Sequence, residues 1–160
     1  MTTPRSLRAE RIAQSLGALS LALILGALAF QYLGHIAPCE MCHWQRWPHI
    51  AAALIGLLAG TLIAQRKWRA EWALPLAAIV ILLIAVSGLI GAYQTGMQWH
   101  WLPGPSACSG RRFVLGSDMV PEVQCDVVTW QLFGLSLAAY NALVSLAAAA
   151  IGAALLWRRR

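Results

Sequence analysis

Four cysteines are the residues of this chain best suited to chemistry, and they fall into two unlike pairs. Cys39 and Cys42 form a C-x-x-C. A ring of four residues closes almost no chain entropy, so a disulfide there is a poor clamp. The same spacing suits a dithiol that cycles, with one thiol lowered in pKa and reactive as thiolate. Cys108 and Cys125 lie in a longer stretch that also holds Pro103, Gly104, Pro105, Gly110, Gly116 and Pro121. That stretch is expected to be mobile and able to present its sulfurs to another protein. Thiol–disulfide exchange needs thiolates and geometry, and no metal.

Arg46 follows Cys42 by four residues. On a helix the two share a face, and both a helix N-terminus and a guanidinium favour thiolate at Cys42. Arg46 would also be placed to hydrogen-bond a carbonyl oxygen of a ligand entering from a bilayer; its other reading is a snorkelling anchor. Pro48 suits a first helical turn, so regular helix is expected near Trp47, which breaks the one-turn relation. Other chemistries stay open on the residues alone. Cys39 to His43 spells C-x-x-C-H, the attachment signature of a c-type haem with His43 as axial ligand. Two structural disulfides stapling two loops are a further reading. A four-cysteine zinc site fits less well, because it usually shows two close-spaced pairs. His35, His49 and His100 read as interfacial hydrogen-bonders.

The elements that position these residues follow from composition. Of 160 residues, 59% are hydrophobic and 11% charged, against roughly 25% charged in soluble domains. So apolar a chain is neither a soluble domain nor disordered, and its length suits one integral membrane domain. Four continuous apolar runs, about 12–34, 47–64, 72–93 and 132–157, contain no Asp, Glu, Lys or Arg. Each is long enough to span as a helix, and none alternates as a barrel strand does. The fold class is therefore an all-α four-transmembrane-helix bundle. Basic residues precede the first run as in a signal peptide, but the run is too long for one and no A-x-A cleavage site follows it before Pro38.

Nine of the 12 Lys and Arg residues flank one side: Arg5, Arg8, Arg11, Arg66, Lys67, Arg69, Arg158, Arg159 and Arg160. Arg46, Arg111 and Arg112 flank the other. The positive-inside rule puts both termini in the cytoplasm. The +6 net charge is then a topology signal and no nucleic-acid footprint. All 8 tryptophans fall at predicted helix ends or in flanking loops, the headgroup level that indole prefers. Gly56 and Gly60 form a G-x-x-x-G that allows close helix approach, and Ser136, Asn141 and Ser145 are expected to face the bundle. All four cysteines lie in the loops 35–46 and 94–131, on the non-cytoplasmic side; in a bacterial membrane protein that side is the periplasm, where disulfides persist.

Three segments together resemble the disulfide bond formation protein B (DsbB) family of bacterial inner-membrane thiol oxidases. Pro38 to Arg46 reads Pro-Cys-x-x-Cys-x-x-Gln-Arg directly after the first helix. Gln94 to Cys108 carries Trp99, Pro103 and Pro105, and Cys125-x4-Trp130-x2-Phe133-Gly134-Leu135-Ser136 leads into the fourth helix. The likeness covers about residues 17–147. It implies a relay that oxidises a periplasmic DsbA-like thioredoxin-fold oxidase and reduces membrane quinone, either ubiquinone or menaquinone. It implies that Cys108 forms the mixed disulfide with the partner. Cys125 is then the pair of Cys108 and links transiently to Cys39. Cys39 and Cys42 are the quinone-facing pair, with Cys42 contacting the ring, and Arg46 is the quinone-site arginine. Some members use a histidine near the end of the third helix; His100 lies toward the loop and Thr95 nearer that place, so the role is not carried over.

Overall fold

The computed structural model describes residues 4–65, 69–105, 108 and 124–157. Outside them lie Arg66, Lys67, Trp68, Gly110, Arg111, Arg112, Gly116, Pro121 and residues 158–160, as does the side chain of Arg5.

Among the described residues, four helices are long and apolar enough to cross a membrane. They are α1 (Pro4–Tyr32), α2 (Glu40–Ala64), α3 (Ala73–Gln98) and α4 (Leu137–Trp157). A 3-10 turn, Ala70–Trp72, leads into α3, and a π-helical turn, Ile55–Ala59, interrupts α2. Before α4 stands a two-stranded hairpin, β1 (Gln131–Leu132) and β2 (Leu135–Ser136), antiparallel with Leu132 opposite Leu135. Its tip residues, Phe133 and Gly134, both have positive φ, 51° and 78°. That pair of angles suits a two-residue loop whose twist matches the strands.

The helices approach closely because small residues line the crossings. A Cβ added at Gly17 would stand 3.0 Å from the Gly56 Cα, so α1 and α2 meet backbone to backbone there. Gly60, the second glycine of the G-x-x-x-G, faces the Gln14 side chain. A Cβ at Gly91 would stand 2.8 Å from the carbonyl oxygen of Ala138, which brings α3 against α4. Without a hydrophobic difference between helix and lipid, such dispersion contact drives association. The seam continues as an apolar core of Ala9, Ala13, Leu16, Ala77, Val80 and Ile84, with residues of α2 and α4.

Element ends differ from the sequence expectation for identifiable reasons. Helix α1 starts at Pro4 instead of residue 12, because the basic flank RSLRAER is rich in helix formers. Helix α2 starts at Glu40, seven residues before Trp47, with Pro48 inside it. Cys39 supplies the start: its backbone is extended (φ −83°, ψ 172°) and its sulfur accepts the Cys42 N–H at 3.3 Å. Pro48 only removes the N–H that would reach the Trp44 carbonyl, and membrane helices tolerate such a gap. Helix α3 runs to Gln98 and ends in a Schellman turn. Its His100 sits at φ 58°, the His100 N–H bonds Met97 O at 2.9 Å, and the Trp101 N–H bonds Gly96 O at 2.8 Å. His100 is therefore a helix-terminating residue with an exposed side chain.

Candidate functional site

The early start of α2 decides the geometry of the C-x-x-C. Cys39 is the N-cap and Cys42 the third helical residue, so their sulfurs converge to 2.7 Å as free thiols. Cys42 and Arg46 then stand one turn apart on a single helix, the relation that a helix beginning at Trp47 would have lost. Exposed amide groups and the positive end of the helix dipole favour negative charge at this terminus. Cys39 behaves differently. Its hydrogen bond with Cys42, then its burial, hold its thiol above the ordinary range.

Cys108 and Cys125 form a disulfide with Cα atoms 5.2 Å apart. Both are buried, at 2% and 0% exposure. The sequence suggested a mobile pair held out from the bundle. Instead, Cys108 and Cys125 pack with Cys39, Met41 and Met97, with Cys42 and Ile90 against the group. A closed disulfide is apolar and has no reason to face water when thioether surface is at hand. Among the described residues of this loop, Pro103 O accepts the Tyr93 hydroxyl at 2.7 Å, and the Cys108 N–H bonds Pro105 O at 2.8 Å. All four sulfurs therefore lie in one cluster at the α2 N-terminus.

Beside that cluster a cavity of about 400 Å³ opens between α1, α2 and α4, with Gln94 and Gln98 of α3 also on its wall. Its walls are mainly apolar, including Leu23, Ala27, Phe30 and Val144, with Cys42 and Arg46 on the α2 side. Trp130 packs on Phe30 with ring centroids 4.9 Å apart and closes one wall. The Arg46 guanidinium turns inward. Nη1 donates to Gln31 Oε1 at 2.6 Å and Nη2 to Ala27 O at 3.4 Å. Two of its five donors are thus used to fix its plane against α1. A snorkelling side chain would instead run outward along the helix.

Gln94, buried on α3, touches both pairs. Its Nε2 donates to Cys39 Sγ at 3.2 Å and to Cys125 O at 3.2 Å. Gln31 was not singled out from sequence, and Gln45 and Gln94 entered only as parts of the segments that carry the family resemblance, with no role of their own. Their one signal is that amides are scarce within helices this apolar, and each stands near a helix end facing the cysteines. His49 also departs from expectation. It is buried inside the bundle at 3% exposure, hydrogen-bonded to Ser20 and Asn141, and no interfacial residue. Asn141 and Ser145 do face the interior, and Ser136 caps α4 through the Ala139 N–H at 3.2 Å.

With this geometry in view, the likeness to other proteins is informative. Residues 9–155 match the family model for disulfide bond formation protein DsbB. A disulfide bond formation protein B of Aromatoleum aromaticum is 32% identical over 152 residues, covering 87% of this chain and 89% of that one. Disulfide bond formation protein B 1 of Burkholderia lata is 30% identical over 165 residues, covering 96% and 92%. A namesake from Aeromonas hydrophila is 30% identical over 148 residues, covering 83% and 80%. No solved structure matches the chain.

Proposed function

Because the chain belongs to the DsbB family, and so is a bacterial oxidoreductase of disulfide bond formation, we propose that it is a thiol:quinone oxidoreductase. In this reading it oxidises a periplasmic DsbA-like thioredoxin-fold oxidase and passes the electrons to membrane quinone, ubiquinone or menaquinone. One observation carries the proposal: a single cluster holds both cysteine pairs, and its partly exposed member, Cys42, shares a cavity wall with Arg46.

The cavity fits a quinone head. Its volume falls in the range of small-molecule sites, its walls are apolar, and a guanidinium held in plane supplies donors for a carbonyl oxygen. A bound quinone supplies a two-electron, two-proton acceptor. The residues of the chain do the rest. A partner thiolate attacks Cys108; the bond to Cys108 forms, the Cys108–Cys125 bond breaks, and the electron pair resides on Cys125. Cys125 then attacks Cys39 of the oxidised C-x-x-C, and the electron pair moves to Cys42. The helix terminus and Arg46 stabilise that charge on the wall of the cavity. The second thiolate of the partner attacks its own sulfur joined to Cys108; that mixed bond breaks, the partner leaves with a disulfide, and the freed Cys108 thiolate attacks Cys125, which re-forms Cys108–Cys125 and releases Cys39. The two thiol protons and two electrons left on Cys39 and Cys42 balance conversion of quinone to quinol. The relay further places the chain as one inner-membrane domain, both termini cytoplasmic and the cysteines at the periplasmic lip. Arg8, Arg11 and Arg69 support that orientation.

Anaerobic mixing of a reduced DsbA-type oxidase, the purified protein and a short-chain ubiquinone tests this, with a short-chain menaquinone in parallel. Stoichiometric loss of quinone absorbance is expected with at least one of them, and none with Cys42→Ser. Undiminished reduction by Cys42→Ser would overturn the reading. So would a covalent haem band in the purified protein, which would turn the C-x-x-C-H to its other use.

A further inference from the structure

A continuous line of hydrogen bonds crosses all four helices and ends on a reacting sulfur. Asn141 Nδ2 donates to Gln45 Oε1 at 2.8 Å, and Gln45 Nε2 donates to Gln94 Oε1 at 2.6 Å. Gln94 Nε2 donates to Cys39 Sγ at 3.2 Å. In the other direction, Asn141 Oδ1 faces His49 Nε2 at 3.0 Å and accepts from Ser145 Oγ at 2.9 Å. Since the Asn141 oxygen accepts, the His49 Nε2 must carry a hydrogen. A neutral imidazole then leaves Nδ1 to accept from Ser20 Oγ, 3.2 Å away.

Every link therefore runs the same way, from the Ser20 hydroxyl through His49, Asn141, Gln45 and Gln94 to Cys39. Such a chain polarises itself, each bond strengthening the next. It also fixes which end of each amide points where. Ser87 locks the middle: its hydroxyl donates to Gln45 O at 2.9 Å and takes up Asn141 Nδ2 at 3.1 Å. Reversing one amide would set donor against donor, or oxygen against oxygen, at both its neighbours. The Gln94 carboxamide is thus held with its NH2 toward the sulfurs. That NH2 reaches Cys39 Sγ and the Cys125 carbonyl together, so one planar group spans the two redox pairs.

We propose that Gln94 is a further catalytic residue, acting chiefly in sulfur exchange between the pairs, and that Gln45 and Asn141 are positioning residues that set its direction. The inference rests on the relay described above. In that relay the Cys125 sulfur attacks Cys39, the Cys39–Cys42 bond breaks and its electron pair goes to Cys42. When the Cys125–Cys39 link is later resolved by Cys108, the Cys108–Cys125 bond re-forms, Cys39 leaves as thiolate, and an N–H already directed at it stabilises the charge. The Gln94 contact to the Cys125 carbonyl holds the attacking residue beside its target. The same amide also lines the cavity beside Cys42, so its effect on electron exit is expected to be smaller than on exchange, not absent.

Two single-turnover measurements separate the steps. In the first, a reduced DsbA-type oxidase is mixed with the oxidised protein. Acid quench, alkylation and mass spectrometry then follow the Cys39–Cys125 link. In the second, a Cys108→Ser/Cys125→Ser background is pre-reduced at Cys39–Cys42 and mixed with short-chain ubiquinone or menaquinone. Gln94→Glu keeps the size and removes the donors; it should slow the first reaction about tenfold or more, as loss of a hydrogen bond to a charged group does. Quinone reduction in the second should slow by a clearly smaller factor, because Cys42 and Arg46 keep their places on the cavity wall. Gln94→Leu should match Gln94→Glu, and Gln45→Leu, one link away, should slow exchange by a smaller factor. Exchange at the wild-type rate in Gln94→Glu, or equal slowing of both reactions, would overturn the assignment. A parent protein that reduces neither quinone in the second measurement would instead overturn the relay itself.

Discussion

The two ends of this bundle are built on opposite principles. Around Ala9, Ala13, Ala77, Val80 and Ile84 the interior is mostly hydrocarbon, with Glu10 a buried exception, and helices meet wherever side chains are small enough to let backbones touch. Around Cys39 the interior is sulfur and amide, and Gln45, His49, Gln94 and Ser145 are buried with their hydrogen bonds made. Dispersion contact is strong in sum but indifferent to small slides along the helix axis. Hydrogen bonds between amides are directional, and in a dry interior an unmade one is expensive. The apolar end therefore supplies most of the cohesion, and the polar end supplies the register that sulfur exchange needs.

The sharpest way to break that contrast lies at the α1–α2 crossing. A Cβ at Gly56 would meet the Ala13 carbonyl oxygen and come within 2.9 Å of Gly17 Cα. Both are backbone and cannot step aside. Gly56→Ala should therefore cost about 2–3 kcal/mol, the upper part of the range for overpacked interiors. A large fall in thermal midpoint in detergent would show it. Gly26, on the same helix as Gly17, has nothing within 4 Å of an added Cβ. Gly26→Ala should be neutral or stabilising by up to about 1 kcal/mol, through helix propensity alone. Equal effects at the two glycines would mean that close approach is not what holds this end together.

How far each end was legible in the sequence follows the same division. Spanning helices announce themselves by long uncharged runs, so the four-helix bundle and the G-x-x-x-G contact could be read directly. Helix ends could not, because they turn on single local bonds. The Cys39 sulfur capping α2 moved that helix seven residues forward past the apparent barrier of Pro48. The positive-φ pair Phe133–Gly134 turned the expected start of α4 into a hairpin. The cysteines and Arg46 stood out because their types and spacing carry chemistry by themselves. Gln94 did not: its meaning lies in touching Cys39 and Cys125, residues 55 and 31 positions away. The burial of Cys108 and Cys125 was equally hidden, since a loop full of Pro and Gly gives no sign of what it folds against.

Arg46→Ala sharpens the comparison from the polar side. The side chain bonds Gln31 and Ala27 O at the cavity wall and takes no part in the apolar core. Its loss should raise the KM for quinone about tenfold, equivalent to about 1.4 kcal/mol of binding, with kcat changed far less. The thermal midpoint should fall by much less than in Gly56→Ala. Steady-state quinone reduction over a range of quinone concentrations measures the first, and unfolding in detergent the second. An unchanged KM would return Arg46 to the role of a membrane anchor.

The smallest expected effect asks whether the polar end is as indifferent to cohesion as the contrast implies. Ser136 accepts the Ala139 N–H at 3.2 Å and donates to Gln98 Oε1, so it caps α4 and ties it to the end of α3. Ser136→Ala removes both bonds and leaves an unpaired amide at the first turn of α4. Loss of such a cap costs about 1 kcal/mol, so the thermal midpoint should drop slightly. Amide exchange should quicken at Ala139 and its neighbours while the centre of α4 stays protected. Ser136→Asp, which can still accept the N–H, should recover most of the loss. If Ser136→Ala instead destabilised the protein as much as Gly56→Ala, the hydrogen-bonded end would be carrying cohesion after all. Helix association here would then depend on caps and amides as heavily as on close-packed glycines.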